Sequence, residues 1–259
     1  MPTVITEEYH VDAGPGRLYV RRWQPATPAS PPPAIVLFHD SLGCVELWRD
    51  FPGRLAHATG RPVVAYDRLG FGKSDPNPGT LDMDFVEQEA RHGFAAVREA
   101  LRLEEFVALG HSVGGGMALA SAVEHAARCR ALITESAQMF TEEHTLAGIR
   151  QARSDFAQPG QVDRLKKYHG EKAPWVLSAW TDTWLSPGFA DWRLDDCLRA
   201  VRCPVLALHG DNDEYGSLAH PQRMQALAGA QAVILQDCGH VPHREMPDTV
   251  IAHIAGWLK

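Results

Sequence analysis

The stretch Leu109-Gly-His-Ser-Val-Gly-Gly115 places Ser112 between two glycines, and Gly116 extends the glycine run. A serine hydroxyl becomes a useful nucleophile only with a base beside it and an acid that orients the base. The flanks suggest how this one is presented. The apolar run Glu104–His111 predicts a strand before it, and Met117–Val123 predicts a helix after it. G-x-S-x-G between a strand and a helix is a nucleophile elbow. The turn is so sharp that side chains two residues before and two after the serine would collide, and Gly110 and Gly114 remove that collision. Gly115 and Gly116 let the start of the helix approach the sheet. Its first N–H groups have no partner within the helix, and with the helix dipole they favour negative charge on a substrate oxygen. That is the chemistry of acyl transfer.

A base and an acid should follow in chain order, the acid first. The last apolar run, Ala230–Asp237, leads into Cys238-Gly-His-Val-Pro-His-Arg-Glu-Met-Pro247. His240 stands just past the strand, on a loop held by Gly239 and Pro242, and is the preferred base among thirteen histidines. His243 is its rival. The run before that, Cys203–Gly210, is followed by Asp211, Asp213 and Glu214. Asp213 is the preferred acid and Asp211 the second choice. Glu135, at the end of the run Arg130–Ser136, is a further candidate because an acid there could also reach the histidine.

The remaining pattern predicts what must hold these groups. Strands are expected at Arg17–Trp23, at Ala34–His39 after a proline-rich connector, and at Arg61–Asp67. Several runs are almost continuously apolar, as in a parallel sheet buried on both faces. Phe85, Val86, Phe94, Val97 and Leu101 suggest one helix face, and Val250, Ile251, Ile254, Trp257 and Leu258 another near the C-terminus. Alternation of strand and helix predicts an α/β fold with its site beyond the carboxyl ends of the strands. From Gln138 to about Asp195 no strand is evident, and four of seven tryptophans fall there. Trp180 and Trp184, four apart, fit one helix face and are the candidates to line an acyl pocket. This segment is expected to be a helical insertion over the sheet.

Composition excludes other classes. Hydrophobic residues are 45% of 259, charged residues 22%, and the formal net charge is −7. Such a chain has no basic footprint for nucleic acid; Arg164–His169 (RLKKYH) is expected on a solvated face. No run of apolar residues is long enough to span a membrane, and the first fourteen residues lack a basic region followed by an apolar one, so no signal peptide is expected. Five cysteines without C-x-x-C spacing suggest a reducing, cytoplasmic setting. Gly70–Ser74 (GFGKS) lacks the glycine that a phosphate loop needs at position 67, where Asp67 stands. His240, His243 and Glu245 lack metal-ligand spacing, so neither metal nor cofactor is expected. Cys44 and Cys238 read as buried small hydrophobes.

Five motifs together carry a family resemblance: LFHDSLGCVELW (37–48), YDRLGFGKSD (66–75), GHSVGG (110–115), HGDNDE (209–214) and GHVPHREMP (239–247). The chain resembles the α/β-hydrolase superfamily over nearly its whole length, as a capped, serine-esterase-like member. The resemblance implies a mostly parallel central sheet flanked by helices, with core residues 1–137 and 196–259 and a helical cap at 138–195. It implies a Ser112–Asp213–His240 triad and favours Asp213 over Asp211. It also implies an oxyanion hole from the N–H groups of Val113 and Ser41. Here the sequence departs from the pattern, because many relatives have His-Gly where this chain has His39-Asp40; Asp40 could instead hydrogen-bond within the loop. The activity implied is hydrolysis of a small carboxylic ester, thioester or lactone with an apolar or aromatic acyl group. The fold also hosts C–C bond hydrolases, haloperoxidase-like perhydrolases and a menaquinone-pathway synthase. A non-catalytic ligand receptor is a further alternative, disfavoured by an intact triad. Partners beyond a small-molecule substrate are not indicated; neither nucleic acid nor a membrane is, and the oligomeric state stays open, a homodimer included.

Overall fold

A computed structural model describes residues 4–26 and 32–259; residues 27–31 of the proline-rich connector lie outside the described residues. The strands are β1 Val4–Asp12, β2 Arg17–Pro25, β3 Ala34–Phe38, β4 Val63–Tyr66, β5 Phe106–His111, β6 Cys129–Glu135, β7 Val205–Gly210 and β8 Gln231–Leu235. The helices are α1 Phe51–Thr59, α2 Phe85–Arg91, α3 Gly93–Ala100, α4 Val113–Glu124, α5 Glu143–Phe156, α6 Gln161–His169, α7 Ala173–Trp184, α8 Asp195–Ala200, α9 Ala219–Ala228, α10 Pro242–Glu245 and α11 Pro247–Trp257. One sheet has the order β1-β2-β4-β3-β5-β6-β7-β8. Strands β3 to β8 pair in parallel, while β1 and β2 run antiparallel to their neighbours.

The apolar runs are explained by burial on both faces. Every residue of β3, β4, β5 and β7 is buried. Val36, Phe38, Val64, Ala108 and Ala207 point to a core shared with α2, α3, α4, α8 and α9. Their alternating neighbours Ile35, Leu37, Val63, Leu109 and Leu206 meet α1 and α11. Each fully buried aliphatic or aromatic side chain stabilises the fold by roughly 1.5–3 kcal/mol.

Two features differ from the sequence reading. Strand β1 was not anticipated: at the sheet edge it is largely exposed, so it carries neither an apolar run nor clean alternation. The face from Phe85 to Leu101 is split between two helices that meet at His92, where φ is −120° and ψ −76°. The basic stretch Arg164–His169 does turn its charges to solvent, with Arg164, Lys166 and Lys167 exposed, while the opposite side of the helix packs inward. Leu165 and His169 are buried, and His169 accepts the Gly72 N–H at 2.9 Å and donates to the Leu42 carbonyl at 3.0 Å. Helices α5 to α8 lie between β6 and β7, and an antiparallel bridge between Phe140 and Arg193 closes the base of this segment.

Candidate active site

Ser112 stands at the apex of the β5–α4 turn with φ 58° and ψ −129°. Such a conformation costs an L-residue roughly 1–3 kcal/mol. The turn is held by the Ser112 N–H on the Glu135 carbonyl and the Gly115 N–H on the Ser112 carbonyl, both at 2.9 Å. A Cβ on Gly110 would stand 2.0 Å from the Gly114 oxygen, and one on Gly114 2.2 Å from the Phe38 oxygen. The glycine spacing is therefore a steric requirement. Gly115 has the same constraint against Ala137, at 2.3 Å.

The acid and the histidine are brought together by another bare position. A Cβ on Gly210, the last residue of β7, would stand 2.2 Å from the Cys238 oxygen. The loops after β7 and β8 thus lie against each other, tied by the Asn212 N–H on the Cys238 carbonyl at 2.9 Å. His240 Nδ1 is 2.8 Å from Asp213 Oδ1, which also accepts the N–H groups of Tyr215 and Gly216 at 2.8 and 3.0 Å. Burial pushes the Asp213 carboxyl up, but the hydrogen bond and charge of His240 and the Tyr215 N–H outweigh it and hold it down at about 2. An ionised carboxylate only accepts, so Nδ1 carries the proton and Nε2 is the basic nitrogen of the neutral ring. Carboxylates clamp the backbone around this ring: Glu214 accepts the His240 N–H at 3.2 Å, and Glu245 those of Gly239 and Val241 at 2.6 and 2.9 Å.

The rivals are committed elsewhere. Asp211 is exposed and accepts the Cys238 N–H at 3.3 Å. Glu135 and His243, the alternative acid and the alternative base, pair with each other at 2.8 Å. Among the described residues no group of three or more His, Cys, Asp or Glu side chains could hold a metal ion. Cys44 and Cys238 are buried, and burial pushes both thiols up to about 12. No helix among the described residues is long and apolar enough to cross a membrane.

Ser112 and His240 line one cavity of about 140 Å³ together with Ser41, Gln138, Trp180, Trp184 and Tyr215. Both tryptophans named from sequence are there. Ser112 Oγ donates to Gln138 Oε1 at 3.0 Å, and among the described residues it makes no hydrogen bond to His240. Gln138 and Tyr215 were missed. Position was the available signal for Gln138, three residues past the end of β6 on the carboxyl side of the sheet. The Tyr215 ring lies 5.0 Å from that of His240.

The N–H of Val113, first residue of α4, and that of Ser41 find no protein acceptor among the described residues. The glycine absent at position 40 is not needed, since Asp40 keeps a negative φ. Its carbonyl, rather than its carboxylate, fixes the loop, accepting from Gly43 N–H at 3.2 Å, His39 Nδ1 at 2.8 Å and Arg68 Nη2 at 2.8 Å.

The α/β hydrolase family model matches residues 35–253, and the chain belongs to that family. It is 35% identical over 113 residues to 1-acylglycerol-3-phosphate O-acyltransferase ABHD5 of Homo sapiens, a match that spans 44% of this chain and only 32% of that relative's length. Proline iminopeptidase of Lactobacillus crispatus (strain ST1) is 23% identical over 265 residues, covering 86% of this chain and 89% of that one. The solved structure of 2-hydroxy-6-oxo-6-phenylhexa-2,4-dienoate hydrolase from Rhodococcus sp. strain RHA1 is similar with a TM-score of 0.75 at 22% identity, covering 97% of this chain and 98% of that one. That likeness is one of fold.

Proposed function

We propose that the protein is a serine hydrolase of a small carboxylic ester, thioester or lactone, with Ser112 as nucleophile, His240 as base and Asp213 as the acid that orients it. One observation carries the reading. A histidine held by a depressed carboxylate at 2.8 Å shares a cavity with a serine on a strained strand–helix turn. The reaction begins when the Ser112 hydroxyl rotates from Gln138 to His240 Nε2, a change about one side-chain bond. Substrate binding commonly completes such contacts. Oγ then attacks the carbonyl carbon and its proton passes to Nε2. Asp213 stabilises the imidazolium, and the N–H groups of Val113 and Ser41 stabilise the oxyanion, at roughly 3–4 kcal/mol for a well-placed donor. His240 protonates the leaving group, and water releases the acyl group by the same steps in reverse.

The segment 138–195 acts as a cap, because α5 and α7 supply Thr145, Ile149, Trp180 and Trp184 to the cavity wall. Those side chains suit an apolar or aromatic acyl group. The reading is tested with a fluorophosphonate probe and a short p-nitrophenyl ester. Ser112 should carry the label, and Ser112→Ala should abolish both labelling and turnover. Undiminished turnover by Ser112→Ala would overturn it. Dienone-type and peroxide substrates in the same assay would reveal C–C cleavage or perhydrolysis.

A further inference from the structure

A second cavity of about 420 Å³ opens beside α2, larger than the one that holds Ser112. Between them lies a constriction of about 10 Å³, room for one water at most. The constriction shares Ser41, Trp180 and Trp184 with the serine cavity, and Arg68, Phe71, Leu81 and Phe85 with the larger one. Arg68 therefore stands at the junction.

Its surroundings are unusual for a cation. Arg68 is 4% exposed, yet among the described residues it closes on no carboxylate. Its side-chain hydrogen bonds go to the His39 ring and the Asp40 carbonyl, and the Phe71 ring lies 4.2 Å from the guanidinium carbon. Nη1 makes no hydrogen bond among the described residues, and it is not one of the polar atoms enclosed without a partner, so it reaches open space. Glu89 lines the larger cavity too, but burial pushes its carboxyl up, towards the uncharged form, and the Tyr66 hydroxyl donates to it at 2.8 Å. Glu89 and Asp40 lie near enough to favour its charge, but neither closes an ion pair with it. A desolvated guanidinium left without a direct ion pair is costly, and its planar fork matches a carboxylate.

We propose that Arg68 forms a carboxylate subsite, and that the substrate is an ester or thioester whose acyl arm ends in a carboxylate. The arm runs through the widened constriction while the scissile carbonyl rests at Ser112. This rests on the serine-hydrolase reading above and names its substrate class.

The test compares p-nitrophenyl monoesters of glutarate, adipate and pimelate with the neutral pentanoate, hexanoate and heptanoate esters, corrected for spontaneous hydrolysis. At least one monoester should exceed its neutral counterpart in kcat/KM by roughly ten- to a hundredfold, as a charged hydrogen bond implies. Arg68→Gln should bring that ratio to about one, and Arg68→Lys should keep part of it. Because Arg68 also holds the Asp40 loop, absolute rates will fall for both esters; the ratio isolates the subsite. Calorimetric titration of free adipate into Ser112→Ala protein should show binding that the Ser112→Ala/Arg68→Gln double variant lacks. Ester turnover without an anionic preference, or a preference that survives Arg68→Gln, overturns the subsite and leaves the serine reading intact. If no ester is turned over, the adipate titration decides alone, and absence of binding overturns the subsite.

Discussion

Two acid–histidine pairs lie beneath the same loop. Asp213–His240 and Glu135–His243 have equal Nδ1–oxygen separations of 2.8 Å. Both histidine rings flank His111, at 5.0 and 4.9 Å between centroids. Each carboxyl leaves its second oxygen without a hydrogen bond among the described residues. They differ in what else reaches them. Asp213 Oδ1 gathers two backbone N–H groups and is held at about 2. Around Glu135 burial outweighs the His111 ring and the His243 backbone N–H and pushes the carboxyl up to about 7. His243, packed on Trp48 at 4.4 Å and Phe51 at 5.5 Å, is driven by burial down to about 3. His240 faces the cavity with Ser112. Pair geometry alone does not make an acid–base catalyst. The hydrogen bond and charge of His240, with the Tyr215 N–H, keep Asp213 ionised, and this pair opens onto the cavity with Ser112, while the other is left with both groups uncharged between about pH 3 and about pH 7.

The comparison breaks or sharpens at several points. His240→Ala should lower kcat by roughly 10⁴–10⁶ and, by orphaning the buried Asp213 carboxylate, lower the urea midpoint as well. His243→Ala should keep kcat within about tenfold but lose about 1–3 kcal/mol for the orphaned carboxyl, and more for the space left behind. Equal activity losses in ester assays would erase the distinction. On the acid side, Asp213→Asn should cost about 10⁴ in kcat through the wrong tautomer, against less than tenfold for Glu135→Gln.

Stability against pH should move in opposite directions for the two acids. The Asp213 carboxyl is lowered from 3.8 to about 2. Its contribution, about 2 kcal/mol, is present above about pH 4 and is lost as pH falls through about 2. The Glu135 carboxyl is raised from 4.5 to about 7, so its contribution is present below about pH 4.5 and is lost as pH rises through about 7. In urea unfolding, the advantage of wild type over Asp213→Asn should close in acid, and Glu135→Gln should gain on wild type from about pH 5 to about pH 8. Parallel curves would refute the assignment. The smallest effect concerns Gln138. Gln138→Leu removes the acceptor 3.0 Å from Ser112 Oγ and should speed phosphonate labelling by roughly two- to tenfold. Slower labelling would mean that the amide supports the reaction itself.

What could be read from the sequence depended on how local each signal was. The elbow was legible because the pattern is local and Gly110 must clear Gly114 four residues on, although the collision that dictates Gly114 is with Phe38 on the neighbouring strand. Strands β3 to β7 were legible because both their faces are buried. Strand β1 was not, since its stability comes from a nine-residue register with β2 and its side chains mostly face water. Glu135 and His243 could be named as alternatives, but their mutual pairing is a contact across 108 positions of chain, and no periodicity encodes it. Arg68 was visible only inside a family motif. Its place between two cavities depends on Trp180 and Trp184, more than a hundred residues further along.

The bridge between Phe140 and Arg193 gives the intervening helices a stem that closes on itself. On either side of it the parallel strands β6 and β7 pair in register from Leu132–Val205 to Glu135–Leu208. Residues 141–192 are nonetheless joined to the site, since His144 donates to the Asp213 carbonyl at 3.0 Å, Thr145 to the Tyr215 carbonyl at 2.7 Å, and Glu142 accepts the Ser217 N–H at 2.8 Å. Exchanging the helices on that stem would re-sculpt one wall of the cavity while the turn at Ser112 and the clamp at Gly210 keep their own steric locks, but a replacement must reproduce the contacts made at 142, 144 and 145 or the loop that bears Asp213 loses its footing.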